Sequence, residues 1–189
     1  MNNKIMTGVR EFITLIGDNP DREGLVDTPK RIANMCNYIF RGYDESKKPE
    51  ITTISNNSDG VNINSLLIDR GYFFSLCEHH IVPFFGEYAY GYIPDKKVLG
   101  VSKIGRTVDY YSARLQVAER LCAQVVNALE EACEPEGSIL VMKGRHLCKE
   151  MRGVKKYNSP FEVIDARGSI LRNDSGSKDE FIARITGTF

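Results

Sequence analysis

A chain of 189 residues suffices for one domain with a substantial core and is short for two. Its 25 basic and 25 acidic side chains cancel to a formal net charge of zero, which argues against a general nucleic-acid or membrane-surface role, since either shows a basic excess. No apolar run approaches a membrane span, and the opening MNNKIMTGVREF has no signal-peptide core, so a cytoplasmic protein is expected.

Ile5, Val9, Phe12, Ile13 and Ile16 recur at helical spacing until GDNPDREG breaks the pattern. A second helix is predicted over DTPKRIANMCNYIFRGY. Thr28 is its N-cap, Pro29 its first residue, Ile32, Met35, Cys36, Ile39 and Phe40 its buried stripe, and Gly42 its stop. SNNSDG, 55–60, reads as a loop. From Gly71 onward GYFFSL, GEYAYGYI and VLGV are short strands rich in aromatic and branched residues. A helix starts near GVSKIGR with Ser102 as its cap, and a long helix is predicted through ARLQVAERLCAQVVNALEEA, with Leu121, Val125 and Leu129 on one face. SILVM, FEVI and SIL read as further strands, and SKDEFIARI as a C-terminal helix capped by Ser177. Helices first, then strands broken by one long helix, predict an α+β fold with a mostly antiparallel sheet.

Five cysteines without a secretory signal argue against a disulfide framework. Cys36 and Cys122 fall inside amphipathic helices and read as small buried hydrophobes, and Cys133 ends a helix with no polar partner pattern. Cys77 and Cys148 differ. SLCEHHIVPF, 75–84, and GRHLCKEMRG, 144–153, hold all three histidines of the chain, His79, His80 and His146, beside those two thiols.

Cysteine and histidine are the preferred zinc ligands, and a catalytic zinc keeps three protein ligands with one position open. Strand residues three apart face opposite ways, so Cys77 and His80 can share an ion only if the chain turns between them. Cys148 as third ligand makes an open site flanked by His79 and His146, an arrangement suited to hydrolysis near neutral pH. A closed Cys2His2 site that only staples the fold satisfies the same spacing.

Lys103 and Arg106 are neighbours on one helical face beside Ser102, a good anion site above all for phosphates. Arg152, four residues past Cys148, adds a cation near the proposed metal, and Arg31 is another candidate. Glu119, beside the apolar stripe, could accept two parallel hydrogen bonds from an amidine-like edge such as guanine's, or simply pair with an arginine at the surface.

EGLVDTPKRIANM, SLCEHHIVPFFG, YIPDKKVLGVSKIGR, ARLQVAERL and HLCKEMRGV occur in the order found in GTP cyclohydrolase I, and over residues 10 to 157 the chain resembles that family. The resemblance implies the tunnelling fold: an antiparallel sheet with helices packed on one face, N-terminal helices, and subunits closing into a barrel-like homo-oligomer, commonly a decamer with interfacial active sites. Residues 1–45 would be the N-terminal helical part and 60–189 the core of a single domain. The implied reaction takes GTP and water to 7,8-dihydroneopterin triphosphate and formate, feeding pterin, folate or deazaguanine synthesis, with no nucleic-acid or membrane partner.

By the same resemblance Cys77, His80 and Cys148 hold zinc in an open site. His146 protonates the purine nitrogen, and His79 serves proton transfers at the ribose. Glu119 grips the guanine edge, while Ser102, Lys103, Arg106, Arg152 and Arg31 contact ribose or triphosphate. Ala118 stands where the family often has Gln, Asn34 where many members have Lys, and Lys143, Gly144 and Arg145 where acidic and small residues are usual. NSPFEVIDARGSIL replaces a Ser/Thr-rich strand. These departures motivate an alternative, a GTP-binding regulatory homologue with little or no turnover. A second alternative, a nitrile reductase of the same fold, requires a nucleophilic cysteine and a nicotinamide cofactor, which the histidine-flanked thiols do not favour.

Overall fold

The protein is described by a computed structural model covering residues 2–172 and 176–185. Two helices, α1 (Asn2–Leu15) and α2 (Thr28–Ile39), open the chain and pack on each other. Asp27, not Thr28, occupies the N-cap of α2 and makes no side-chain capping bond. The expected stripe is only half-buried: Pro29 and Ala33 are the enclosed residues, and Met35 faces solvent. Gly42 lies in a 3-10 turn beyond the helix end, where a Cβ would sit 2.2 Å from the Tyr110 carbonyl oxygen. Close backbone approach, rather than helix termination, requires glycine there.

Downstream come β1 (Thr53–Ser55), β2 (Leu67–Cys77), β3 (Pro83–Ile93) and β4 (Lys97–Leu99), helix α3 (Val101–Ser112) and the two-residue β5 (Leu115–Gln116). Then follow α4 (Ala118–Cys133), β6 (Gly137–His146), the one-turn α5 (Leu147–Glu150), β7 (Phe161–Arg167), α6 (Gly168–Arg172) and α7 (Ser177–Ile185). β1 and β4 pair with each other. The loop after β1 is tied down by buried Asn56, whose amide donates to the carbonyls of Asp95 (2.6 Å) and Ile63 (3.1 Å) and accepts from the Ile63 N–H (2.8 Å). The main sheet runs β5-β2-β3-β6-β7. Its pairs are antiparallel except β2 with β5, which is parallel at Leu76–Leu115 and Cys77–Gln116.

The period-2 pattern sorts the strands into two faces. Phe73, Cys77, Phe84, Tyr88, Tyr90, Leu140 and Met142 point one way and pack under α3 and α4, where Leu121, Val125 and Leu129 are fully buried. Ala89, Ile93, Ile139 and Val141 point the other way and are covered by Ile170 of α6 and Phe181 of α7. Helices therefore cover parts of both faces, which corrects the expectation of one helical face.

Three local expectations change as well. ARLQV is not the start of the long helix: the chain runs extended through β5, and α4 begins at Ala118. SIL, 169–171, is the turn of α6 rather than a strand, because Gly168 at φ 60° redirects the chain and Ile170 is pulled into the core. Gly100, not Ser102, is the N-cap of α3, and the strand expected through VLGV ends at Leu99.

Gly86 and Gly144 face each other across β3 and β6, leaving a hole that the Phe73 ring fills: a Cβ at Gly144 would stand 2.9 Å from the ring tip, and one at Gly86 1.9 Å from the Lys143 carbonyl oxygen. Gly86→Ala is expected to destabilise the protein by about 3 kcal/mol, read as a lower urea midpoint at unchanged slope. Gly144→Ala should cost less, because a ring can shift where backbone cannot.

Candidate metal centre and active site

β2 ends at Cys77 because the chain reverses there. The Cys77 N–H donates to the Val82 carbonyl (2.9 Å), and the Cys77 carbonyl accepts from His80 N–H (3.3 Å) and Ile81 N–H (2.8 Å). Ile81 takes φ 55°, a left-handed conformation costly for a β-branched residue and typical of over-determined sites. The reversal is the turn that the Cys77–His80 spacing demands, and it sets Cys77 Sγ 3.8 Å from His80 Nδ1. On the other flank Glu78 N–H donates to the Gln116 carbonyl (3.0 Å). β6 carries His146 to the position opposite Phe84, then breaks into α5, which swings Cys148 inward. The sulfurs of Cys77 and Cys148 and a ring nitrogen of His80 all lie within 4.8 Å of one another.

Two thiols and one imidazole are a zinc-type donor set. Burial, reinforced by the Cys77 thiol beside it, pushes the Cys148 thiol up, and a cation between the sulfurs would reverse that by favouring thiolates. The residues present thus fit a metal ion, with three protein donors in the group. His79 Nδ1 also lies 3.8 Å from Cys77 Sγ but stands outside the group. His80 is held from behind: Arg152 Nη1 donates to its Nε2 at 2.7 Å. A neutral imidazole that accepts at Nε2 carries its proton on Nδ1. Arg152 thus adjoins the group of donors through His80.

Beside the three donors opens a cleft of about 300 Å³ lined by His79, His146, Glu119, Lys149, Gln116 and Phe161 among others. His146 stacks on Phe84 (centroids 4.7 Å, 11°) and meets the edge of Phe161 (5.8 Å, 90°). Its Nε2 is buried and has no hydrogen-bond partner among the described residues. Burial holds its pKa below the ordinary histidine value, against the upward pull of the Glu119 carboxylate. Glu119 sits exposed in the first turn of α4.

One protomer therefore gathers Cys77, His79, His80, His146, Cys148 and Glu119 at one cleft, with Arg152 on His80. It does not gather the other expected cations. Ser102, Lys103 and Arg106 lie at the start of α3, whereas the end of that helix leads into β5; Ser102 and Ser112 are thus roughly 15 Å apart along the axis. Arg31 is exposed on α2 and pairs with Asp27 at 3.6 Å. Sequence reasoning missed Phe84, Phe161, Gln116 and Lys149, the last of which donates from Nζ to Ser159 Oγ at 2.8 Å. Phe84 and Phe161 carried no signal without the register that sets them on either side of His146. Lys149, adjacent to Cys148, could have been flagged.

Cys148→Ser is expected to weaken zinc binding by about a hundredfold or more, whereas His146→Ala should retain full zinc content. Metal analysis after equilibrium dialysis reads both; loss of zinc from the His146 variant would make that residue a ligand.

Residues 5–186 match the family model described as GTP cyclohydrolase I. Proteins named GTP cyclohydrolase 1 are similar over nearly the whole chain: that of Wolinella succinogenes is 36% identical over 177 residues (94% of this chain, 93% of that protein). The Deinococcus radiodurans protein is 39% identical over 186 residues (98% and 85%), and the Campylobacter lari protein is 40% identical over 181 residues (96% and 94%). A solved structure titled as the archaeosine synthase QueF-Like in the apo form aligns with a TM-score of 0.46 at 22% identity, over 55% of this chain and 94% of that one.

Proposed function

The chain belongs to the GTP cyclohydrolase I family, and from that premise we propose that it is a zinc-dependent enzyme converting GTP and water to 7,8-dihydroneopterin triphosphate and formate. The observation that carries the reading is the convergence of Cys77, His80 and Cys148 beside a cleft holding two further histidines and Glu119. Cys77, His80 and Cys148 would hold the zinc, whose Lewis acidity would make water a competent nucleophile near neutral pH.

The remaining roles belong to side chains. Glu119 accepts from the N–H groups of the guanine edge and fixes the base at the mouth of α4. The stacked Phe84 keeps the His146 ring in one plane at the wall of the cleft. His146 then donates a proton to the purine nitrogen as the imidazole ring opens, and His79 moves protons at the ribose during the later rearrangement. Arg152, held beside the cleft at His80, contacts the triphosphate. The chain acts as one GTP cyclohydrolase I-like domain in a homo-oligomer, a decamer by family resemblance, in which Ser102, Lys103 and Arg106 of a neighbouring subunit complete the anion site. Their remoteness from the cleft of their own protomer supports that arrangement. No helix among the described residues is long and apolar enough to cross a membrane, which accords with a small-molecule enzyme of the cytoplasm.

Metal-replete protein given GTP should release formate and a product that fluoresces after oxidation. A chelator should stop both, and zinc should restore them; tight GTP binding with the nucleotide unchanged would instead support the regulatory alternative. Lys103→Ala and His146→Ala should each abolish turnover alone. Refolded mixtures of the two should recover activity if one site draws Lys103 from a neighbour, and should stay inactive if each protomer is self-sufficient.

A further inference from the structure

Between the metal-ligand turn and the first turn of α4 runs a contact with no part yet in the reaction. The Glu78 carboxylate takes both ends of the Arg120 guanidinium, Nη1 to Oε2 and Nη2 to Oε1, the second at 3.1 Å. The same Oε1 lies 3.9 Å from His79 Nε2. Glu78 is the residue between Cys77 and His79, and Arg120 is the residue after Glu119. The pair spans 42 positions of the chain and joins the metal-ligand turn to the first turn of α4. The other nearby tie between these elements is the two-residue pairing of β5 with β2 and the Glu78–Gln116 backbone bond.

We propose that Glu78 and Arg120 form a positioning brace that fixes Glu119 at a set distance from the metal-ligand turn, and so determines how strictly the site demands a guanine edge. Arg120 is about half exposed and Glu78 about a third, and pairs so placed contribute little to global stability. Their bidentate geometry instead restricts relative position. A single-point contact would let α4 slide along the turn; the planar fork does not. The same carboxylate lies next to His79, so the brace adjoins both the base-facing and the proton-transfer side of the cleft.

This rests on the reading of Glu119 as the group that takes the guanine edge. Inosine triphosphate, which lacks the exocyclic amine, is the probe, used as a competitive inhibitor of formate release from GTP by the zinc-loaded oligomer. In Glu78→Gln and in Arg120→Lys the ratio of its inhibition constant to the KM for GTP should fall by about tenfold. The double variant should do no worse than either single one, while zinc content and melting temperature stay near wild type. An unmoved ratio in both single variants, or losses that multiply in the double variant, overturns the brace. Formate from the wild type with an unmoved ratio removes the brace alone; no formate from the wild type removes the functional reading and the brace with it.

Discussion

The reversal of the chain between Cys77 and Val82 is the constraint on which the rest depends. Three backbone hydrogen bonds and one isoleucine in a left-handed conformation bring a thiol at a strand end and an imidazole three residues later to the same point. An uninterrupted strand would have sent them to opposite faces. Everything else at the site is delivered to that point by register. β3 sets Phe84 opposite Ser75, β6 sets His146 opposite Phe84, and the break into α5 adds Cys148. The two-residue parallel strand β5 brings the start of α4, and hence Glu119, to the same end of the sheet.

Charge is distributed to match. The chain is neutral overall, yet its expected phosphate-binding side chains are split among three places, Arg152 beside His80, Ser102, Lys103 and Arg106 at the start of α3, and Arg31 on α2. Under the proposed function a triphosphate needs several cations at once, and one protomer would supply only part of that anion site. On that reading assembly would be part of substrate recognition.

Much of the site was legible in the sequence because its chemistry is rare: three histidines in 189 residues, all beside thiols. The helices and strands with clear periodicity were legible too. What escaped was set by tertiary contacts. ARLQV has helix-forming residues, but Leu115 and Gln116 are drawn into the sheet beside Cys77, where Gln116 Nε2 donates to the Tyr111 carbonyl and to Gln124 Oε1; non-local pairing overrides propensity there. SIL looked like a strand because three apolar-flanked residues cannot reveal that a glycine at positive φ has already turned the chain. Ser102 looked like a cap, yet Gly100 takes the extended conformation that opens the helix, and a helix start offset by two residues lies within what local signals resolve. The aromatic pair about His146 had no local signature at all, since Phe84 and Phe161 meet only through the order of three strands.

The sheet that carries this site is closed at only one corner. Among the described residues β2 is paired on its outer side only at Leu76 and Cys77, and β7 has no neighbour beyond β6. A lone protomer thus displays two rows of unsatisfied amides and carbonyls, one at each margin, which are templates for adding another strand. Any partner strand that covered those margins would at the same time guard the chain against fibrous self-association.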